Sequence, residues 1–422
     1  MGSYVGLTLA GGEWCFALLE VVRDSAKRAG DNAVPLPQGV SSQTIWKSLE
    51  QVTGLQPYIP IGASESVPVI INEVDVCKDV AQVIRRTALL RYFKQYVVEE
   101  SVDPIGTVGI AHPYGISPTA RRALPALIDG DVIEIRRADR NERRPMGSGM
   151  AERACAVEAP FAACLELLGT RAVCPPAWIA VMGDSSCGIE ATLISAVADE
   201  QTQTWKLSAK AYRAGTKDEI SDWLPRTLQR LQGSQTMDVI LACLEGFNDS
   251  TLVKSMSDGG LRVSVQELAG ADFASGAARY AALCSGENVS SIIPGGGVRK
   301  LEFASIASHA IGVCGHDSAG ETLWCPLYEV GEPLTGGHRR VRFEKCPIPP
   351  RLILAECLRQ DRCPGEWIGD LKQLRWYAEV PVSVPPDTRE GIVDLTIESS
   401  TNCWEYGWSD PYISSSFAVV AD

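Results

Sequence analysis

Metal-ligand patterns are the first thing this sequence lacks. Only four histidines occur among 422 residues, and none of the 14 cysteines stands in a Cys-x-x-Cys clip; the tightest pair is Cys357 and Cys363. That spacing excludes a zinc-finger type of site. The cysteines sit singly in apolar runs such as 162–165 (AACL) and 241–244 (LACL). Such placement predicts buried free thiols in a reducing compartment rather than a disulfide scaffold. No run of about 18 apolar residues is present, so no membrane-spanning helix is predicted. The start, MGSYVGL, carries neither a basic segment nor an apolar core of a secretory leader, and a cytoplasmic location without membrane contact is expected. Positive charge is in deficit: 39 Lys and Arg face 52 Asp and Glu, for a net charge of −13. A chain of that balance repels phosphate backbones, so direct nucleic-acid binding is not expected.

Length and composition are those of a globular protein with more than one folding unit. Tyr4 to Leu9 reads as a short strand, Ala10 to Gly12 as a turn, and Trp14 to Val22 as a second strand. Lys78 to Glu100 reads as a helix, with Val80, Val83, Ile84, Thr87, Leu90, Phe93 and Val97 on one stripe. Thr107 to Ala111 is a buried strand, Ser117 and Pro118 open a further helix, and Asp131 to Arg136 is a strand. Glu158 to Leu168 is helical. Trp178 to Met182 is a strand, followed by a polar turn from Gly183 to Gly188 and a strand from Ile189 to Val197. Glu219 to Leu231 forms an amphipathic helix, Val239 to Cys243 a buried strand, and Ala271 to Cys284 a helix of small residues. After Gly286 the helical period stops. Gly295 to Gly297 reads as a hinge, and the remainder alternates short apolar runs with Pro and Gly turns, as an all-β module does.

In that order the residues resemble the heat-shock protein 70 family. The stretch 4–14 (YVGLTLAGGEW) is similar to its first phosphate loop, and 88–95 (ALLRYFKQ) to its ILRYLKQ helix. Residues 108–123 resemble the strand and helix that follow. The segments 158–165 (EAPFAACL) and 270–278 (GADFASGAA) resemble its two connecting helices. In the tail, 311–313, 326–328, 333–335, 367–371 and 391–397 follow the order of its peptide-binding β-sandwich. The resemblance implies an α/β chain of the actin-like (ribonuclease H-like) two-lobed ATPase fold over residues 1–295, followed by a sandwich over 296–422.

It also implies where nucleotide would sit. Such a site uses backbone amides of two glycine-rich hairpins to hold phosphates, and carboxylates to hold hydrated magnesium. The corresponding positions here are Thr8, Gly11, Gly12, Asp184, Ser185, Ser186, Gly188 and Gly246. Thr8 stands where the family has Asp. Gly183 to Gly188 replaces DLGGGT, so close backbone approach is obstructed by side chains. Cys243 to Gly246 replaces GGST, adding Leu244 and Glu245. Only about 40 residues separate Val197 from Val239, too few for the subdomain that closes on adenine. These changes predict a degenerate, non-catalytic site with no catalytic and no metal-binding residues, in which ATP alone is left open as a cofactor. The expected role is a co-chaperone or scaffold with protein partners: a J-domain protein, the ribosome or another large assembly. An active chaperone using Asp184, Glu190 and Thr8, and a structural subunit of an assembly, are the alternatives. His112 reads as structural, and Arg339, Arg340 and Arg342 as a solvated basic face. Gly183-x-Ser185 lacks the last Gly of a hydrolase elbow.

Overall fold

The computed structural model describes residues 2–22, 25–36, 38–39, 41–47, 105–116, 124, 154–186, 188–232, 238–247, 250–294, 297–316, 322–334, 337–343, 351–359, 362–370, 373–381, 391–399 and 411–418. The expected helices at 78–100 and from Ser117, and the strand at 131–136, lie outside these residues.

The first sheet has the order β3-β2-β1-β4-β5, from strands β1 (Gly2–Ala10), β2 (Glu13–Val22), β3 (Ser25–Pro35), β4 (Ile105–His112) and β5 (Ala154–Glu158). β1 to β3 form an antiparallel meander, and β4 and β5 add parallel to β1. β1 is central, and its run YVGLTLA is buried on both faces, as a mid-sheet strand requires. β3 is the edge strand. Its polar sequence, SAKRAGDNAVP, blunts the open side with Lys27, Arg28 and Asp31.

The second sheet repeats the plan. β6 (Ala177–Ser185), β7 (Gly188–Asp199) and β8 (Thr204–Gly215) form a meander, then β9 (Asp238–Leu244) and β10 (Arg262–Leu268) extend it in parallel. The order is β10-β9-β6-β7-β8, with β11 (Lys300–Ala304) added beside β8. Among the described residues, the interval 198–238 holds one strand and one helix between β7 and β9. Lys300 to Ala304 had been expected in the sandwich. They pair in register with Thr204 to Ser208, so the second lobe's sheet reaches Ala304.

Each half ends in a buried helix, α1 (Ala159–Gly169) and, later, α4 (Gly270–Cys284); between them come α2 (Lys217–Gln232) and α3 (Ser250–Asp258). Pro160 sits in the first turn of α1, where its missing N–H costs nothing. The Asp272 carboxylate accepts the Ala269 N–H at 2.8 Å and so closes the start of α4. α4 crosses from the second lobe to lie on β1, β2 and β4 of the first, and α1 packs along it. The small residues of α4 allow this. A Cβ on Gly6 would lie 2.6 Å from Ala278 N, one on Gly109 would lie 2.8 Å from the Ala277 carbonyl carbon, and one on Gly276 would meet the Ala162 backbone.

α2 turns Ile220, Leu224 and Leu228 into a core with Trp178, Met182, Leu241 and the α3 residues Leu252 and Met256. Each fully buried Leu or Ile contributes about 1.5–3 kcal/mol.

After α4, a single helical turn, α5 (Val289–Ile292), leads to fully buried Ile292 and Ile293. Arg279 donates to the Ile292 carbonyl at 2.7 Å and Arg171 to the Pro294 carbonyl at 3.0 Å. The connection is thus held against the lobes before Gly297, at φ +59°, turns the chain into β11.

The tail forms two sheets. One has the order β13-β12-β15-β16, from β12 (Ala310–His316), β13 (Thr322–Tyr328), β15 (Arg351–Cys357) and β16 (Leu374–Pro381). The other is β14-β17-β18, from β14 (Gly337–Phe343), β17 (Gly391–Ser399) and β18 (Pro411–Ala418). Trp324 anchors the first, donating from Nε1 to the Ala355 carbonyl at 2.8 Å. Arg339 is only partly solvated, at 32% side-chain exposure, while Arg340 is exposed. Arg339 donates to the Leu327 carbonyl at 2.6 Å, pairs with Glu332 at 2.7 Å and lies 4.4 Å over the Tyr328 ring.

Candidate functional site

The two meanders face each other across a cleft. Both turn in two residues: Ala10 pairs with Glu13 around Gly11 and Gly12, and Ser185 pairs with Gly188 around 186–187. Gly11 and Gly12 have φ of +61° and +80°, the left-handed pair that a tight hairpin of this twist demands. Gly183 to Ser185 are strand, not turn, so the expected six-residue polar turn is only two residues long. Gly188 has φ +126°, and a Cβ there would stand 2.9 Å from the Gly215 carbonyl oxygen, so the left-handed backbone and the close approach of β8 both call for glycine.

The cleft is lined by Thr8, Trp46, His112, Asp184, Glu190 and Phe273, together with apolar residues that include Leu9, Val181 and Leu244. Its free volume is about 20 Å³, room for about one water molecule. Trp46, on a helical turn over residues 42–47, is 2% exposed and forms part of its wall.

Among the described residues the hairpin amides and the carboxylates at the centre are already bonded, whereas the buried Trp46 Nε1 has no partner. Gly11 N–H, on the first lobe, donates to Asp184 Oδ2, on the second, at 2.8 Å. Gly12 N–H donates to Ser42 Oγ at 2.8 Å. The Ser42 hydroxyl is also hydrogen-bonded to Asp184. Gln43 Nε2 reaches the Ser186 carbonyl at 3.5 Å. Asp184 thus sits where the hairpin amides would otherwise receive an anion. Thr8 Oγ1 donates to the Ala111 carbonyl at 3.3 Å. Glu190 accepts the Tyr114 and Gly115 amides at 2.6 and 3.3 Å and the Tyr212 hydroxyl at 3.4 Å. His112 Nδ1 lies 2.8 Å from the Pro113 carbonyl. Ser185 ends β6, buried. Gly246, φ +88°, lies in the turn after β9 and does not line the cleft; Leu244 does.

The residues present do not fit magnesium-bound nucleotide in this arrangement. The described lining residues carry two carboxylates and no Lys or Arg, so the field repels a triphosphate. The Gly11 and Gly12 amides are occupied, and the volume falls far short of the roughly 300 Å³ at which ligand pockets begin.

Burial raises the Asp184 carboxyl above its usual value of 3.8, against the lowering effect of the Gly11 and Ser42 hydrogen bonds. A raised folded pKa means that the fold tolerates the ionised form less well than water does. The cost is absent below the unfolded value and complete above the folded one. Asp184→Asn keeps an acceptor for Gly11 and loses the charge. The variant is therefore expected to melt higher than wild type at pH 7, with the difference shrinking toward pH 4. A lower melting point at pH 7 would contradict this placement of the charge.

The cleft also touches the sandwich. Tyr114, held by Glu190, donates to the Ile306 carbonyl at 3.0 Å and accepts the Ile306 N–H at 2.8 Å. Buried Arg375, paired with Glu356 at 2.5 Å, reaches the Gly115 carbonyl at 3.0 Å and His309 Nδ1 at 3.2 Å. No motif marked Tyr114, Glu356 or Arg375, and no local pattern in the sequence relates them.

Two duplicated meander-plus-parallel sheets, exchanged terminal helices and facing hairpins define the class: a two-lobed, actin-like ATPase fold with a β-sandwich after it. No protein-family model and no curated protein matches the chain. Among solved structures it is similar to the Ppx/GppA phosphatase of Aquifex aeolicus, at 9% identity over 58% of this chain and 68% of that one, with a TM-score of 0.29. It is similar also to the ROK hexokinase of Thermus thermophilus, at 11% identity over 65% and 97% of the two chains and a TM-score of 0.29. A chain of a PilM-PilN type IV pilus biogenesis complex gives 12% identity, 62% and 88% coverage, and 0.27. Scores so low say nothing about activity or partner; the strand order itself defines the class. Among the described residues no three His, Cys, Asp or Glu side chains converge as metal ligands, and no helix is long and apolar enough to cross a membrane.

Proposed function

We propose that this chain is a heat-shock-70-like protein whose nucleotide cleft is closed by its own side chains, and that it acts without ATP hydrolysis as a co-chaperone or scaffold subunit. The bonding of Gly11 to Asp184 and of Gly12 to Ser42 carries this reading. The first hairpin's amides are satisfied from within, and the Gly11–Asp184 bond also ties the two lobes together. A ligand can shift an equilibrium only by binding one state better than another. A cleft that admits no nucleotide offers no such difference, so one docked arrangement of lobes and sandwich persists. The partners on this reading are proteins: a J-domain protein, the ribosome or another large assembly. The rival reading, an active chaperone, needs Asp184, Glu190 and Thr8 free for chemistry, and each is engaged elsewhere.

The test is phosphate release from ATP with magnesium, together with small-angle scattering with and without nucleotide. The expected results are release no faster than the protein-free background and one compact, nucleotide-independent profile. Turnover abolished by Thr8→Ala, or a change in radius on adding ATP, would show a working site. Affinity purification of the native protein then separates a stable assembly from transient clients.

A further inference from the structure

The second lobe carries an open groove away from the cleft. β11 covers only the first half of β8, from Thr204 to Ser208. Beyond that point, strand alternation places Ala211, Arg213 and Gly215 on the face against which α2 packs. α2 starts two residues after β8 ends, with only Thr216 between them. Ile220, Leu224 and Leu228 point into the core. Beside that stripe, at helical spacing, run Glu219, Trp223, Arg226 and Thr227. Together with Arg213 and Asp222 they enclose an open volume of about 360 Å³, within the size range of ligand pockets.

One unmade donor points to an anion. Arg213 Nε is buried and has no hydrogen-bond partner. A guanidinium has five donors and no acceptor, and a buried donor left unmade is costly. The other charges of the groove are engaged. Glu219 Oε2 accepts the Thr216 N–H at 2.7 Å and the Thr216 hydroxyl at 3.0 Å, although it also feels the charge of Arg213. Arg226 donates to the Asp222 carbonyl at 2.7 Å and faces its carboxylate at 3.4 Å. Half-buried Trp223 supplies an aromatic wall.

We propose that this groove is an anion-binding site for a carboxylate or phosphate group, with Arg213 as the charge partner and Trp223 as the apolar wall. The same group occurs on a free small molecule and on an acidic peptide segment. The site is independent of the closed cleft, because it lies on the opposite face of β8 from Tyr212, which meets Glu190.

The experiment is calorimetric titration of the full chain with inorganic phosphate, citrate and a hexaglutamate peptide. Saturable one-to-one binding of at least one probe is expected. It should weaken at least tenfold in Arg213→Gln, recover in part in Arg213→Lys, and stay unchanged in Asp184→Asn. Preference for phosphate or citrate assigns a free anion; preference for the peptide assigns a partner segment. If Arg213→Gln lowers the melting point sharply, Trp223→Ala provides the second variant, with a loss of at least threefold expected. Absence of saturable binding by all three probes would overturn the proposal. So would affinity unchanged in the folded Arg213 or Trp223 variant.

Discussion

Glu166→Ala should cost the fold about 3–5 kcal/mol, the range for removing one member of a buried ion pair. Glu166 on α1 and Arg279 on α4 have side chains 6% and 4% exposed and meet at 2.8 Å. Ser275 donates to the same carboxylate oxygen at 2.7 Å. Arg279 continues to the Ile292 carbonyl, and Arg28 on β3 reaches Asp272 at 2.7 Å and Glu166 at 3.9 Å. The cluster therefore joins the two terminal helices, the edge of the first sheet and the connection to the tail. Truncating Glu166 leaves a buried guanidinium short of an acceptor, and it is the stranded charge that costs most, not the lost attraction. For that reason Glu166→Leu combined with Arg279→Met should recover a large part of the loss. Urea unfolding of the single and double variants measures this. A double variant no more stable than the single would show that packing, not the unpaired charge, sets the penalty.

Gly6→Ala should destabilise by about 3 kcal/mol, the upper end for overpacking a core. Its added Cβ would fall within contact distance of the Ala274 carbonyl and 2.6 Å from Ala278 N. Both are backbone atoms of α4, so no side-chain rotation relieves the clash; the helix itself must move off β1. The same helix reads Gly109 on β4 and Ala162 on α1, so the displacement spreads across the join between the lobes. Gly315→Ala is the control. Nothing lies within 4 Å of its added Cβ, and a change within about 0.5 kcal/mol is expected there. A denaturant midpoint for Gly6→Ala equal to that of the control would mean that α4 does not sit on β1 as described.

The elements that were legible in the sequence are those whose burial is one- or two-sided along the chain. The run YVGLTLA, the run of β9 and the small-residue helix α4 each announce themselves by local pattern, because a strand buried on both faces and a helix packed against a sheet restrict residue type at every position. Gly11 and Gly12 likewise mark a turn, since a tight hairpin needs left-handed φ there. Other elements left no such mark. β3 has a polar edge sequence, α3 has only Leu252 and Met256 buried among nine residues, and β10 is largely polar. Each is held by a neighbour's ladder or core and not by its own hydrophobic period.

By itself, then, the sequence determined two Gly-marked or strand-flanked hairpins, the small-residue helix, the absence of a carboxylate at Thr8 and the all-β tail. What fills the cleft was decided only by tertiary structure. Asp184 and Gly11 are 173 residues apart, Glu166 and Arg279 are 113 apart, and Tyr114 and Ile306 are 192 apart. No local period relates such pairs. Asp184, in the segment that replaces DLGGGT, becomes the partner of the Gly11 amide only because the two meanders face each other. Trp46 lines the cleft beside Ser42, on the same helical turn, which accepts the Gly12 N–H. Hydrogen bonds are short-ranged and directional, so which donor meets which acceptor is settled by the packing of the lobes and not by the order of residues along the chain.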